Sequence, residues 1–160
     1  SAFGLSNQTS LNRSESKDLI ESYFNAYPTL KTYISNQINF ARENGYVETV
    51  LSRRRYLRDI NSRNPILRGA AERNAVNAPV QGSAADIIKI AMINIQKIIT
   101  SSKLKSRMLV QVHDELIFEI HKSELEKMKN IVKDEMENAF SLNVPLAVDV
   151  GVGENWFEAH

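Results

Sequence analysis

The sequence contains no cysteine and only three histidines among its 160 residues. The absence of cysteine excludes a disulfide framework and thiolate metal sites, and it suits a protein of a reducing compartment. The histidines lie far apart, which argues against a zinc site. No apolar run approaches the length that spans a bilayer and the N-terminus carries no signal peptide, so we expect no membrane partner.

Hydrophobic residues make up 42% of the chain and charged residues 24%. These fractions are typical of a soluble globular protein. The length allows one ordinary hydrophobic core or two small lobes.

Lysine is missing from one segment in which arginine is abundant. Residues 46–73 contain seven arginines and three acidic residues, a net charge of +4, whereas the rest of the chain carries −3. The arginines are Arg53, Arg54, Arg55, Arg58, Arg63, Arg68 and Arg73. Arginine can form forked hydrogen bonds with a phosphate or a base edge. The segment favours a polyanionic partner, although a solvated surface with scattered ion pairs fits the charges equally well.

The spacing of apolar residues predicts two helices over residues 14–43, with Pro28 at the start of the second and Gly45 after its end. Two short strands, YVETVL and RYLRDI, follow, joined around Ser52, Arg53 and Arg54. A helix is then expected over residues 64–77, interrupted at Pro79.

The helix is expected to restart at Ser83, capped by Asp86, and to end near Thr100. Next, LVQVHDELIFEI predicts a tight antiparallel hairpin with His-Asp-Glu at its turn. Met108, Val110 and Val112 should share one face of its first strand, and Leu116, Phe118 and Ile120 one face of its second.

Ser123 and Glu126 are expected to cap a helix that continues towards Phe140. A third strand is predicted around Leu146, Val148 and Val150. The fold class is therefore α+β, with helices packed on a small antiparallel sheet.

Asp114 and Glu115 are adjacent carboxylates at the predicted hairpin turn. Their repulsion would be relieved by a divalent cation, and hard oxygen ligands on a rigid turn suit Mg²⁺. The alternative is a pair of solvated acids at an exposed turn, and no further carboxylate stands out as a partner.

Arg73, Asn77 and Gln81 are spaced four residues apart in ERNAVNAPVQGSAAD. This spacing places them on one helix face, with Pro79 altering where Gln81 points. All three donate hydrogen bonds, and the DNA minor groove presents acceptors at nearly the same place for every base pair. A polar helix face with local hydrogen bonds is the alternative interpretation.

Several stretches together resemble family A DNA polymerases. LVQVHDELIFEI looks like the palm hairpin of that family, and RGAAERNAVNAPVQGSAADIIKIAM resembles the helix before it. The ending VGVGENWFEAH resembles the C-terminus of bacterial members, and the opening SAFGL resembles the segment after the nucleotide-binding helix of the fingers. The resemblance covers essentially the whole chain, in order.

The resemblance implies roles for individual residues. Asp114 would be a catalytic, metal-binding aspartate, Glu115 would assist at the same site, and His113 would lie near the primer terminus. The remaining expected DNA contacts are Arg73, Asn77, Gln81, Ser1, Phe3, Arg53 and Arg54. Ser52 and Arg58 depart from the family, which often has Gly and Pro at these places.

The resemblance also implies an activity and an organisation. It implies transfer of a nucleotidyl group from a dNTP to the 3′-hydroxyl of a primer–template, with two Mg²⁺ ions, in the bacterial cytoplasm. Residues 1–62 would belong to the fingers and residues 63–160 to the palm. The chain would be a C-terminal fragment, inactive alone, because the first catalytic aspartate and the nucleotide-binding helix lie outside it.

Two other functions are also compatible with the sequence. The arginine segment could serve a non-catalytic nucleic-acid-binding module, which predicts tight, salt-dependent duplex binding. A Mg²⁺-dependent nuclease built on Asp114 and Glu115 fits less well, because too few carboxylates converge.

Overall fold

The computed structural model describes residues 2–159, and the chain divides into two compact units. The first unit runs up to Glu48 and continues from Arg54 to Pro79. The second consists of Thr49 to Arg53 and the residues from Val80 onward. The mixture of helices and short antiparallel strands confirms the predicted α+β class.

Three helices and two strands lie within the first unit. They are α1 (Ala2–Ser6), α2 (Arg13–Ala26), α3 (Pro28–Asn44), β1 (Tyr46–Glu48) and β2 (Arg54–Tyr56). The helix α4 (Pro65–Ser101) belongs to the first unit as far as Pro79 and to the second from Val80. The other elements of the second unit are β3 (Arg107–Val112), β4 (Glu115–Glu119), a 3-10 turn (Lys122–Glu124), α5 (Leu125–Glu137) and α6 (Trp156–Ala159).

The ends of α2 and α3 follow from their sequences. Asn12 caps α2 by accepting from the Ser14 and Glu15 amides, while the Glu15 side chain accepts from the Asn12 amide. Pro28 starts α3, and Gly45 ends it with φ of 77°, as predicted. The left-handed conformation at this position favours glycine because no Cβ clashes there.

Strands β1 and β2 form an antiparallel pair in which Val47 lies opposite Arg55. The predicted antiparallel pairing is confirmed, but each strand has three residues instead of the six in YVETVL and RYLRDI, and Arg54 lies in β2 instead of the connection. A buried cluster forms the core of this unit: Ala41, Val47, Leu57, Ile60, Ala71, Ala75 and Ala78. Alanines on α4 allow close packing there because their side chains are small.

Helix α4 is continuous over 37 residues, with Pro79 inside it. The predicted interruption and capped restart at Ser83 are therefore wrong. Proline removes one backbone donor, yet α4 runs through it, and buried side chains lie on both sides at Ala75, Ala78, Ile88 and Ala91. Ser83 lies within the helix, where its hydroxyl accepts from the Val50 amide at 2.9 Å.

The β3–β4 hairpin was predicted, but its side-chain pattern was predicted only in part. The register shifts between Met108 and Val110, so Leu109 is an extra residue in β3. This bulge interrupts the alternation, and Val110 is 47% exposed although Met108 packs on the core. On β4, Leu116 and Phe118 pack inward as predicted.

The second core contains Ile95, Ile99, Met128 and Val132 as buried residues. They come from α4 and α5, which supply apolar positions at helical spacing. Among the described residues, no helix has both the length and the apolar character needed to cross a membrane.

Two predictions near the C-terminus are wrong. Helix α5 is preceded by a 3-10 turn and has no side-chain cap, because the Ser123 hydroxyl lies 2.9 Å from His121 Nδ1. The expected third strand around Val148 is not present in the described residues. The Val148 amide instead donates to the Glu137 carboxylate at 3.1 Å.

Candidate functional site

The β3–β4 turn carries the proposed metal ligands. His113 adopts a left-handed backbone with φ of 54°, and its carbonyl accepts from Gln111 Nε2 at 2.8 Å. Asp114 is exposed, whereas Glu115 is half-buried and pairs with Val112 as the first residue of β4. The turn thus presents the Asp114 carboxylate to solvent on a short, paired hairpin.

The base of this hairpin is held by a second carboxylate, Glu124. It accepts hydrogen bonds from the amides of Lys105 and Ser106 at 3.0 Å and from the Ser106 hydroxyl at 2.6 Å. The Ser106 hydroxyl in turn accepts from the His121 amide at 3.1 Å. The Ser106 hydroxyl, followed by the Lys105 amide, lowers the pKa of the Glu124 carboxyl to about 2.

Asp114 and Glu115 provide part of a ligand set for a divalent cation. Both offer hard oxygen atoms of the kind that Mg²⁺ prefers, but no group of three or more acidic, histidine or cysteine side chains converges within residues 2–159. Mg²⁺ commonly binds one or two carboxylates together with substrate phosphates. The residues therefore fit an incomplete Mg²⁺ site.

The three predicted minor-groove donors are all exposed on α4. Arg73 and Asn77 lie in the first unit, and Gln81 lies in the second. Helix α4 is continuous through Pro79, and the effect of Pro79 on the direction of Gln81 stays a prediction.

Neighbouring arginines of the β1–β2 hairpin are held in different ways. Arg54 donates from Nε to Glu48 at 2.8 Å and lies 4.3 Å from the centroid of the Tyr46 ring. The Glu48 hydrogen bond, followed by Tyr46, raises the pKa of the Arg54 guanidinium. Arg55 approaches Asn74 Oδ1 at 3.4 Å. These are contacts of exposed side chains, which contribute little to stability.

Arg53 belongs to a more buried arrangement. Its Nη2 atom lies 2.8 Å from Asp86 Oδ1 and donates to the Gly82 carbonyl at 3.1 Å. The Thr49 hydroxyl donates to Asp86 Oδ2 at 2.5 Å and accepts from the Arg53 amide at 3.2 Å. Asp86 was predicted to be a helix cap, and its role was missed.

The Asp86 side chain is only 8% exposed, and the signal for its role was its position on α4. It lies four residues from Gly82, a glycine inside a helical pattern, where glycine is less favourable than alanine and therefore suggests a packing reason. A Cβ at Gly82 would lie 2.5 Å from Thr49 Cγ2. The glycine therefore permits residues 49–53 to approach the helix closely.

The two expected contacts near the N-terminus have different outcomes. Ser1 lies outside the described residues. Phe3 lies in α1 and is 62% exposed, so its ring is accessible to a partner.

Comparisons with known proteins agree along the whole chain. A family model described as DNA polymerase family A matches residues 1–158. DNA polymerase I of Streptococcus pneumoniae serotype 4 is 51% identical over 159 residues, which is 99% of this chain and 18% of the relative. DNA polymerase I of Borreliella burgdorferi is 47% identical over 160 residues, with coverage of 100% and 18%.

A solved structure gives the same result. The POL domain of Pol1 from M. smegmatis, in complex with DNA primer-template and dNTP, has a TM-score of 0.96 and 47% sequence identity. The match covers 99% of this chain and 28% of that chain. The chain thus spans less than a fifth of the length of the curated relatives named above.

Proposed function

Because the chain belongs to DNA polymerase family A, we propose that it forms part of a template-directed DNA polymerase of the bacterial cytoplasm. The reaction would join the 3′-hydroxyl of a primer paired with its template to the α-phosphate of a dNTP, breaking the bond between the α- and β-phosphates and releasing pyrophosphate. The observation that carries this proposal is the exposed Asp114 at the turn of a paired hairpin, within a chain that matches the family over residues 1–158.

Asp114 would hold a divalent cation, with Glu115 assisting. When bound, Mg²⁺ supplies positive charge at the reacting phosphate and favours the ionised 3′-hydroxyl. Strands β3 and β4 pair on both sides of Asp114 and restrain the turn that carries it. A metal ligand on a paired hairpin is positioned better than one on a flexible loop. The remaining ligands would come from the nucleotide phosphates and from another part of the polymerase.

Arg73, Asn77 and Gln81 would donate hydrogen bonds to the minor groove of the newly formed primer–template. Acceptors occur there at nearly equivalent positions for all correct base pairs, so these donors can respond to base-pair geometry without reading sequence. His113 would lie near the primer terminus, and Arg53 and Arg54 would contact the phosphate backbone. The exposure of these side chains supports such contacts.

The isolated chain tests the proposal directly. With a primer–template, all four dNTPs and Mg²⁺, we expect no primer extension, because Asp114 and Glu115 are an incomplete ligand set. Mixing the chain with the missing part of the polymerase should restore extension, and the Asp114→Ala chain should not. Extension by the isolated chain would contradict the need for further ligands.

Duplex binding by the same chain distinguishes the polymerase proposal from the alternative functions. A polymerase segment should bind the duplex weakly, because much of the DNA-binding surface lies elsewhere in the enzyme. Tight binding with a steep dependence on salt, and no restored extension, would instead favour the non-catalytic nucleic-acid-binding module. Cleavage of DNA by the chain alone would favour a nuclease.

A further inference from the structure

We propose that Asp86 is a positioning residue for DNA binding, which acts by holding Arg53 and the tip of the β1–β2 hairpin against α4. The tip is defined as Thr49 to Arg53. This inference rests on the proposed function, because it takes the partner of Arg53 to be a DNA phosphate. It goes further by giving a role in that function to a side chain that is itself nearly inaccessible.

The burial of Asp86 makes its partners necessary. Its side chain is 8% exposed, and a buried carboxylate is costly unless charged or polar donors surround it. Both carboxylate oxygens are engaged, Oδ1 with the Arg53 guanidinium and Oδ2 with the Thr49 hydroxyl. Asp86 therefore binds both ends of the tip at once.

The tip is closed and tied to α4 by further contacts. The Thr49 amide donates to the Arg53 carbonyl at 3.0 Å, and the Val50 amide donates to the Ser83 hydroxyl at 2.9 Å. Gly82 allows Thr49 to approach, and its carbonyl accepts from Arg53. The tip and this turn of α4 are thus joined by side-chain and backbone bonds that all fall within the second unit.

Arg53 keeps donors for a ligand in this arrangement. A guanidinium has five N–H donors, and the contacts to Asp86 and Gly82 both use Nη2, which carries two of them. The side chain remains 52% exposed. Nε and Nη1 therefore provide three N–H groups, on a plane oriented by Asp86, for an incoming phosphate.

The charge of Asp86 makes the proposal testable. Simple electrostatics predicts that removing a negative charge near DNA strengthens binding. Positioning predicts the opposite, because without Asp86 the Arg53 side chain regains rotamer freedom that must be lost again on binding. The Asp86→Asn variant keeps the shape and removes the charge.

The experiment is a double-mutant cycle on this chain with a primer–template duplex as the probe, measured by fluorescence anisotropy at low salt. Arg53→Gln should weaken binding about tenfold and reduce the slope of log K against log salt by about 1. Asp86→Asn should weaken binding about threefold when Arg53 is present, and should have almost no effect in the Arg53→Gln chain. Asp59→Asn, which removes an exposed carboxylate three residues after β2, is the charge-matched control and should bind at least as tightly as the unmodified chain.

Two results would overturn the inference. One is Asp86→Asn binding as tightly as the unmodified chain, and the other is an equal loss with and without Arg53. If Arg53→Gln itself has no effect, Arg53 is not a DNA contact and the inference fails with it. The polymerase assignment is judged separately by the extension assay with Asp114→Ala.

Thr49 provides a test that does not depend on DNA. Thr49→Ser keeps the hydroxyl that Asp86 accepts from, whereas Thr49→Val removes it with little change of shape. Amide hydrogen exchange at Val50 and Arg53 should remain slow in Thr49→Ser and become faster in Thr49→Val and Asp86→Asn. Equal exchange in all variants, with folding confirmed by circular dichroism, would show that Asp86 does not hold the tip.

Discussion

The two hairpins of this chain are each held by a carboxylate, but at opposite ends. In the β1–β2 hairpin, Asp86 binds the tip through Thr49 and Arg53. In the β3–β4 hairpin, Glu124 binds Lys105 and Ser106 at the base, just before β3 begins. The first hairpin has an anchored tip, and the second has an anchored base and an exposed tip.

This difference indicates what each hairpin can do. An arginine that contacts a fixed phosphate backbone benefits from a fixed tip, because less side-chain freedom is lost on binding. A carboxylate that binds a cation together with substrate phosphates must remain accessible, and Asp114 is exposed. Acidic residues therefore have two roles here: the anchoring ones accept several internal hydrogen bonds, and the candidate ligand faces solvent.

Removing the exposed carboxylate should have the largest effect. In the complete polymerase, Asp114→Ala should reduce the rate of nucleotide addition by about 10²–10³-fold, the scale on which loss of one charge-stabilising group acts. Primer–template affinity should change little, because the pairing of β3 with β4 holds the turn in place without the Asp114 side chain. Single-turnover extension and duplex binding measure the two quantities. Asp134→Ala, an exposed carboxylate on α5, is the control, and near-normal synthesis by Asp114→Ala would refute the metal assignment.

The anchored tip can be broken sterically. Gly82→Ala places a Cβ 2.5 Å from Thr49 Cγ2 and should destabilise the chain by about 1–3 kcal/mol through overpacking. Thr49→Ser removes that methyl group, so Gly82→Ala should be neutral or slightly stabilising in the Thr49→Ser background, since alanine favours a helix. Urea unfolding of the four chains measures the coupling. Equal destabilisation in both backgrounds would mean that the contact with Thr49 is not the cause.

A smaller effect should appear at the turns, because each hairpin has a non-glycine residue in the left-handed region. Ser52 has φ of 60° and His113 has φ of 54°. Glycine at either position should stabilise the chain by about 0.5–1 kcal/mol by relieving this strain. Thermal unfolding measures both variants, and the two turns should respond alike. In the complete polymerase, Ser52→Gly should preserve extension and His113→Gly should impair it, and equal activity would remove His113 from the site.

Removing the Glu124 carboxylate, which anchors the base of the β3–β4 hairpin, should have the smallest effect on stability at neutral pH. That effect should also depend on pH. The folded pKa of Glu124 is about 2, below its ordinary value of 4.5. Its stabilisation is therefore fully present above pH 4.5 and is lost as the pH falls towards about 2.

The difference in urea midpoint between the unmodified chain and Glu124→Gln should be constant above pH 5 and shrink below pH 4.5. Glu126→Gln, which removes an exposed neighbouring carboxylate, is the control for the change of charge. A difference that persists undiminished at pH 2 would contradict the role of the ionised carboxylate.

Local rules predicted the parts of the fold that depend on neighbouring residues. Pro28, Gly45 and the turn at His113 and Asp114 were placed correctly because caps and turns are decided within a few residues, whereas Glu115 proved to be the first residue of β4. The same rules failed at Pro79, where α4 continues against the local preference of proline and has buried side chains on both sides. They failed again at Val148, where a side chain 11 residues away satisfies the backbone amide.

The candidate site shows the same limit. Asp114 could be identified because its motif is contiguous, and the resemblance gave it a role. Asp86 was interpreted as a cap because Thr49 and Arg53, its partners, lie more than thirty residues earlier in the chain. A contact across that distance is visible in the sequence only indirectly, here as a glycine and an aspartate on one helix face.

The long sequence separation within the anchored tip also affects folding during synthesis. Thr49 leaves the ribosome 37 residues before Asp86, which corresponds to about 2–7 s at ordinary rates of elongation. Strands β1 and β2 can pair in that interval while the tip still lacks its acceptor. The β1–β2 hairpin is thus translated before Asp86, which orients its tip. The hairpin reaches its final conformation only once the part of α4 that contains Asp86 has emerged.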